Sequence, residues 1–150
     1  MRTGAAAVCA ALALLVFAAV AIAATPATGL HKGESSQGRR VDVKVGTDHK
    51  IRRFRIDWKA PCEAPKSWWG PDGTTVKFPS EQPGDGSFGS SGKYTGKPDA
   101  DGYRGHFKYR LDGKFTKSSK AHGTFDIRVR VTKSGKTIDR CHKSLTWQVS

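Results

Sequence analysis

Five stretches of this 150-residue chain change polarity at almost every step, and that period of two constrains the fold more than any other feature. Val41, Val43 and Val45 flank Asp42 and Lys44, while Phe54, Ile56, Trp58 and Ala60 alternate with Arg53, Arg55, Asp57 and Lys59. Tyr103, Phe107, Tyr109 and Leu111 interleave with Arg104, His106, Lys108 and Arg110. Phe125, Ile127, Val129 and Val131 do so with Asp126, Arg128 and Arg130, and Leu145, Trp147 and Val149 with Thr146 and Gln148. Successive side chains of a strand point to opposite faces, so each stretch reads as a strand with one apolar and one solvated face. Residue types agree: of the 27 Leu, Ile, Val, Phe, Trp and Tyr residues beyond position 23, only three are Leu. The others are β-branched or aromatic, the types that fit a pleated surface. No window carries a helical period. Weaker strands are expected near Val76 to Phe78, Ser87 to Tyr94 and Lys114 to Ser118.

Turn chemistry divides these stretches. Pro71-Asp72-Gly73, Asp101-Gly102, Asp112-Gly113 and Ser134-Gly135 read as tight turns. Gly-x-Phe recurs at Gly86, Gly105, Gly113 and Gly123, at spacings too irregular for a solenoid. In a strand the pair shares a face, so Phe enters the core and Gly leaves room beside it or allows a bend. The expected fold is all-β, an antiparallel β-sandwich or open barrel of about eight strands. Residues 79–102, rich in Gly, Ser, Pro and Asp, should hold a short strand between mobile surface loops.

The apolar residues are unevenly spread. Positions 5–24 are 20 consecutive apolar residues behind Arg2, and Ala21 and Ala23 provide small residues for processing. Residues 1–23 therefore read as a secretory signal helix and imply a secreted or cell-envelope protein; an uncleaved anchor is the alternative. Residues 24–38 form a flexible segment with a possible first strand, and 39–150 a single β-domain. Cys9 leaves with the leader. The two remaining cysteines, Cys62 and Cys141, suit a disulfide between neighbouring strand ends, since export favours oxidised pairs.

The GLHKGESSQGRRVDVKV start, the IRRFRIDWKAPC strand, the GKFTKSSKAHGTFDIRVRV hairpin and the IDRCHKSLTW end together resemble small secreted, Arg/Gly-rich β-proteins of actinobacteria. The similarity spans roughly residues 28–149. It implies export and a β-fold, and carries over no catalytic residues.

Charge is the main clue to function. The chain has 26 Lys+Arg against 13 Asp+Glu, a formal +13, of which only Arg2 belongs to the leader. Arg53, Arg55 and Lys59, then Arg104, His106, Lys108 and Arg110, then Arg128 and Arg130 fall on the solvated strand faces. If those strands are neighbours, they make one cationic surface for anionic wall polymers, extracellular nucleic acid or anionic lipid headgroups. The competing reading is a solubilising face. Trp68 and Trp69 are a second candidate: one ring is left outside for a sugar, a membrane interface or a protein partner, or both plug the open end.

Catalytic residues are not indicated. Gly89-Ser90-Ser91-Gly92 is no nucleophile elbow, and Asp57, Glu63, Glu81 and Asp85 offer no preferred carboxylate pair for a small hydrolase. Asp99-Ala100-Asp101-Gly102 lacks the later ligands of a calcium loop, and the five histidines lack metal spacing. The sequence therefore reads as a non-catalytic binding domain without metal or small-molecule cofactor.

Overall fold

The alternating stretches form one antiparallel meander. The structure is a computed structural model that describes residues 24–79, 82 and 85–150, so the expected signal helix lies outside the described residues. Eight strands follow in order: β1 Gly29–Ser35, β2 Arg40–Val45, β3 Ile51–Pro61, β4 Trp68–Lys77, β5 Ser87–Thr95, β6 Tyr103–Phe115, β7 Ala121–Lys133 and β8 Lys136–Val149. They make a single sheet of order β4-β3-β2-β1-β8-β7-β6-β5. Two four-stranded meanders, β1–β4 and β5–β8, are thus joined side by side through β1 and β8.

The sheet curls on itself. Inward rings of β3 meet inward rings of the other half: Phe54 lies 6.4 Å from Phe125, and Trp58 6.1 Å from Phe107. The architecture is therefore an open barrel, not a sandwich. Its edges, β4 and β5, form no backbone ladder with each other. Side chains close this seam instead. Trp58 Nε1 donates to Thr74 Oγ1 at 2.9 Å, Thr74 Oγ1 lies 2.8 Å from the Tyr94 hydroxyl, and Phe78 packs edge-on to Phe88.

The possible first strand is real and central, because β1 pairs with both β2 and β8. The residues before it are held too. Ala27 N donates to Ser118 O, and the rings of His31 and His49 hydrogen-bond the carbonyls of Ala27 and Pro26. Two expected turns are absent, because Pro71-Asp72-Gly73 lies within β4 and Asp112-Gly113 within β6. The strand expected at Lys114 to Ser118 is the end of β6 and the turn after it.

Gly113 explains one of these errors. It faces Gly123 across the β6–β7 ladder, and the Trp147 indole lies over both. A Cβ on Gly113 would come within 2.6 Å of Trp147 Cζ2 and of Phe88 Cζ; one on Gly123 would come within 2.7 Å of Trp147 and meet the Asp112 carbonyl. Glycine here provides a notch for a ring, not a bend. Gly105 does the same for Phe107 and Trp69.

The cysteines are joined as expected. Cys62 and Cys141 form a disulfide across an isolated antiparallel bridge between the end of β3 and β8.

Two outcomes follow. Gly123→Ala forces a methyl into backbone and indole and should cost about 1 to 3 kcal/mol of unfolding free energy, measured by urea denaturation. Tyr94 supplies a pH test: burial, only partly offset by the Thr74 hydrogen bond, pushes its hydroxyl from 10.0 up to about 12. The folded state thus disfavours the phenolate, so this stability is complete below about pH 10 and is lost as pH rises through about 12. Denaturation at about pH 9 and about pH 11.5 should show a loss that is smaller in Tyr94→Phe.

Candidate functional site

The strand register assembles a cationic lattice on the outer face of β5–β8. Lys93 stands opposite Lys108, Lys108 opposite Arg128, and Arg128 opposite His142. In the next row Thr95, His106, Arg130 and Arg140 stand opposite one another in turn. Seven of these eight positions carry basic residues. Strands about 4.8 Å apart and same-face residues about 6.7 Å apart give a patch of roughly 14 by 7 Å.

A depression of about 760 Å³ follows the lattice. It is bounded by residues 93–95, 106–108, 128–130 and 140–142, with Pro61, Cys62 and Glu63 at one edge. The inward members of three of these triplets, Phe107, Val129 and Cys141, are only 4%, 2% and 3% exposed. Solvent therefore meets the outward side chains, and the walls are mainly Lys and Arg stems and heads.

Like charges directly opposite one another on a sheet are destabilising. Among the described residues, Lys93, Lys108, Arg130 and Arg140 form no ion pair that would relieve this. Relief comes only at the margin. Asp126 lies 2.6 Å from His142 Nε2 and 3.5 Å from Arg128, and accepts from Ser144 Oγ at 2.7 Å. Partial burial pushes the Asp126 carboxyl up, but the hydrogen bonds from Ser144 and His142 and the nearby positive charge outweigh it and hold it below the usual range. Asp112 pairs with Arg110 at 2.9 Å. His106 is fixed between two threonines: its Nδ1 lies 3.2 Å from Thr95 Oγ1 and its Nε2 3.1 Å from Thr132 Oγ1. Thr132 directs its own hydroxyl to Arg104 O, which leaves its oxygen to accept from Nε2–H.

Of the nine basic residues singled out in the sequence, Arg104, His106, Lys108, Arg110, Arg128 and Arg130 come together on β6 and β7. Arg53, Arg55 and Lys59 do not join them. They lie on β3, whose inward rings face β6 and β7 across the interior, so their side chains leave the other side of the barrel. Arg53 stands between Lys44 and Lys77 in a smaller cationic row, and Arg55 pairs with Asp57 at 3.2 Å. Alternation shows which face a residue takes, not which strand lies next to it. That gap also hid Lys93, Arg140 and His142, which lack an alternating apolar stretch of their own but sit in register with the lattice.

The tryptophans divide. Trp69 turns inward, packs edge-on to Phe107 at 5.8 Å and donates to Asp72 Oδ2 at 3.2 Å. Trp68 is 51% exposed, with Lys59 Nζ over its ring at 4.9 Å. The carboxylates considered for hydrolysis do not converge. Asp57 is on the outer face of β3, Glu63 beside the disulfide and Asp85 before β5; Glu81 lies outside the described residues.

Comparison with family models, with curated proteins and with solved structures finds no match to this chain.

The register makes an energetic prediction. Lys108→Thr or Arg130→Thr removes like-charge repulsion and should raise stability by roughly 0.2 to 1 kcal/mol at low salt. The gain should shrink in about 0.5 M salt. Arg110→Thr, which loses the Asp112 pair, should bring no such gain; denaturant midpoints compare the three.

Proposed function

We propose that the protein is an exported, non-catalytic barrel domain that binds anionic surface polymers through the outer face of β5–β8. The observation that carries this reading is the register: Lys93, Lys108, Arg128, Arg130 and Arg140 stand side by side. Solubility alone requires charge, but not like charges in facing positions with no acidic partner between most of them. A bound polyanion would supply that partner, release counterions and turn a destabilising array into a favourable one. The arginines add planar forks that match phosphate or carboxylate oxygens two at a time.

The same face favours a polymer over the other two polyanions expected from the sequence. Its outward residues include no Phe, Tyr or Trp, and the imidazoles of His106 and His142 are held by Thr95, Thr132 and Asp126, so it offers no large free ring as a stacking platform for bases. The exposed large apolar residues among those described, Leu30, Trp68 and Ile138, lie outside the lattice, so it offers no apolar wedge for a bilayer. The ligand is then read by the density of its charge, as in the phosphodiester or uronate chains of a cell envelope.

The test is a salt titration against polyglycerol phosphate, duplex DNA and phosphatidylglycerol vesicles. Tightest binding to the polymer is expected, with the logarithm of affinity falling linearly with that of salt. The Lys108→Ser, Arg128→Ser, Arg130→Ser triple variant should bind at least about tenfold more weakly and with a shallower salt slope. Arg55→Ser, on the far side, should change little. No binding at about 20 mM salt, where screening is weak, would sink the proposal.

A further inference from the structure

At the end of the barrel near the disulfide lies a second cavity, of about 660 Å³, which has a different chemistry from the lattice. Trp68 and Ile138, 51% and 50% exposed, are two of the three exposed large apolar residues among those described, and both line it. Trp69 and Tyr103 contribute further ring surface. Barrel mouths of this size commonly take small ligands, and ring surface left in water is otherwise unfavourable.

The polar side chains here are mostly acceptors. Asp72, Asp99 and Asp139 line the same cavity. Asp99 Oδ1 takes the backbone N–H groups of Asp101 and Tyr103, while Oδ2 has no donor among the described residues. Asp139 Oδ1 takes those of Arg140 and Ala64. Although desolvation pushes its carboxyl up, these donors outweigh it and hold the group below the usual range, in the anionic form. Three carboxylates repel phosphate and uronate groups, so the ligand of the outer lattice does not fit the mouth. An occupant has to bring hydrogen-bond donors and a flat apolar face.

Two classes satisfy that description, a saccharide ring and an organic cation. Two lysines decide between them. Lys59 Nζ already lies over the Trp68 ring at 4.9 Å, and Lys133 Nζ over Tyr103 at 4.4 Å. Neither lysine lines the cavity, so each ring keeps a face for it, and there a second cation would meet like charge across the ring while a neutral one would not. We infer that the mouth is a site for a neutral sugar ring, stacked against the outward Trp68 and Ile138 with its hydroxyls donating to Asp99 and its acidic neighbours.

This inference stands apart from polyanion binding, since it rests on different residues. The purified protein is titrated with tetramers of β1,4-linked N-acetylglucosamine, β1,4-linked glucose and α1,6-linked mannose, with tetramethylammonium as the cationic competitor. Tryptophan fluorescence and saturation-transfer NMR give the readout. At least one tetramer should saturate below about 10 mM, and with little salt dependence, since no net charge is neutralised. Trp68→Ala should weaken it at least about tenfold with an unchanged melting temperature, since the ring lies outside the core. Ile138→Ser, also outward, should weaken it in the same direction and provides the check if Trp68→Ala loses stability. The lattice triple variant should bind the sugar normally, so that the two readings can fail separately. No saturation by any tetramer, equal binding by both mouth variants, or saturation by tetramethylammonium alone would overturn the inference.

Discussion

The structure depends on seating large rings over glycines. An eight-stranded barrel has a narrow interior, and this one places Phe54, Trp58, Phe107, Phe115, Phe125 and Trp147 inside it, all nearly or completely buried. Two of these rings fit only because facing positions give up their side chains. Trp147 therefore lies over Gly113 and Gly123, and Phe107 and Trp69 over Gly105. Few apolar residues then suffice, because each ring buries more apolar surface than an aliphatic side chain does. Outward positions remain available for charge without cost to the core.

Closure is the second constraint. The two halves of the sheet meet where β1 joins β8, yet that ladder covers only Gly33 to Ser35 on β1. Beyond the β1–β2 hairpin the end of β3 comes across to β8. Gln37 bridges the gap by pairing both ways with the backbone of Lys59, and Glu63 N donates to Arg140 O. The Cys62–Cys141 disulfide lies at this junction. In the chain-entropy view, closing a loop with a sequence separation of 79 stabilises the fold by roughly 4 to 5 kcal/mol. At the opposite seam, Thr74 and Tyr94 hold two edges that have no ladder between them.

How much of this could be read from the sequence follows from the range of each signal. Inward and outward positions were legible because alternation is local, and Phe125 to Val131 behave as their pattern requires, whereas Asp42, expected on the solvated face between Val41 and Val43, is buried and pairs with Arg40. The Gly-x-Phe pairs announced close packing, but not that Trp147, far along the chain, would lie over two of the glycines. Asp112-Gly113 was misread as a turn for that reason: the demand for glycine came from a ring on another strand. β1 was only half legible, since GLHKGES lacks a run of large inward residues; His31 and Gly33 do that work next to Phe115 and the Gln148 backbone. The candidate site was least legible. Its composition was visible on β6 and β7, but its membership depends on strand order, which replaced Arg53, Arg55 and Lys59 by Lys93, Arg140 and His142.

The barrel keeps two opposite electrostatic environments close together, and the disulfide region is the boundary between them. Cys62 borders both the cationic depression and the mouth, and β8 turns from Asp139, held by backbone donors at the mouth, to Arg140 on the lattice in a single residue. A pleated strand makes this possible, since adjacent residues face opposite sides of a sheet that excludes water between them. Within about 8 Å of screening length the two fields would otherwise cancel. A chain that carried its excess charge only for solubility would gain from letting them do so, by alternating acid and base along each outer row. In the two lattice rows the register does the reverse, setting base against base from Lys93 to Arg128 and from His106 to Arg140, while Asp72, Asp99 and Asp139 line the mouth; both proposed sites rest on that separation.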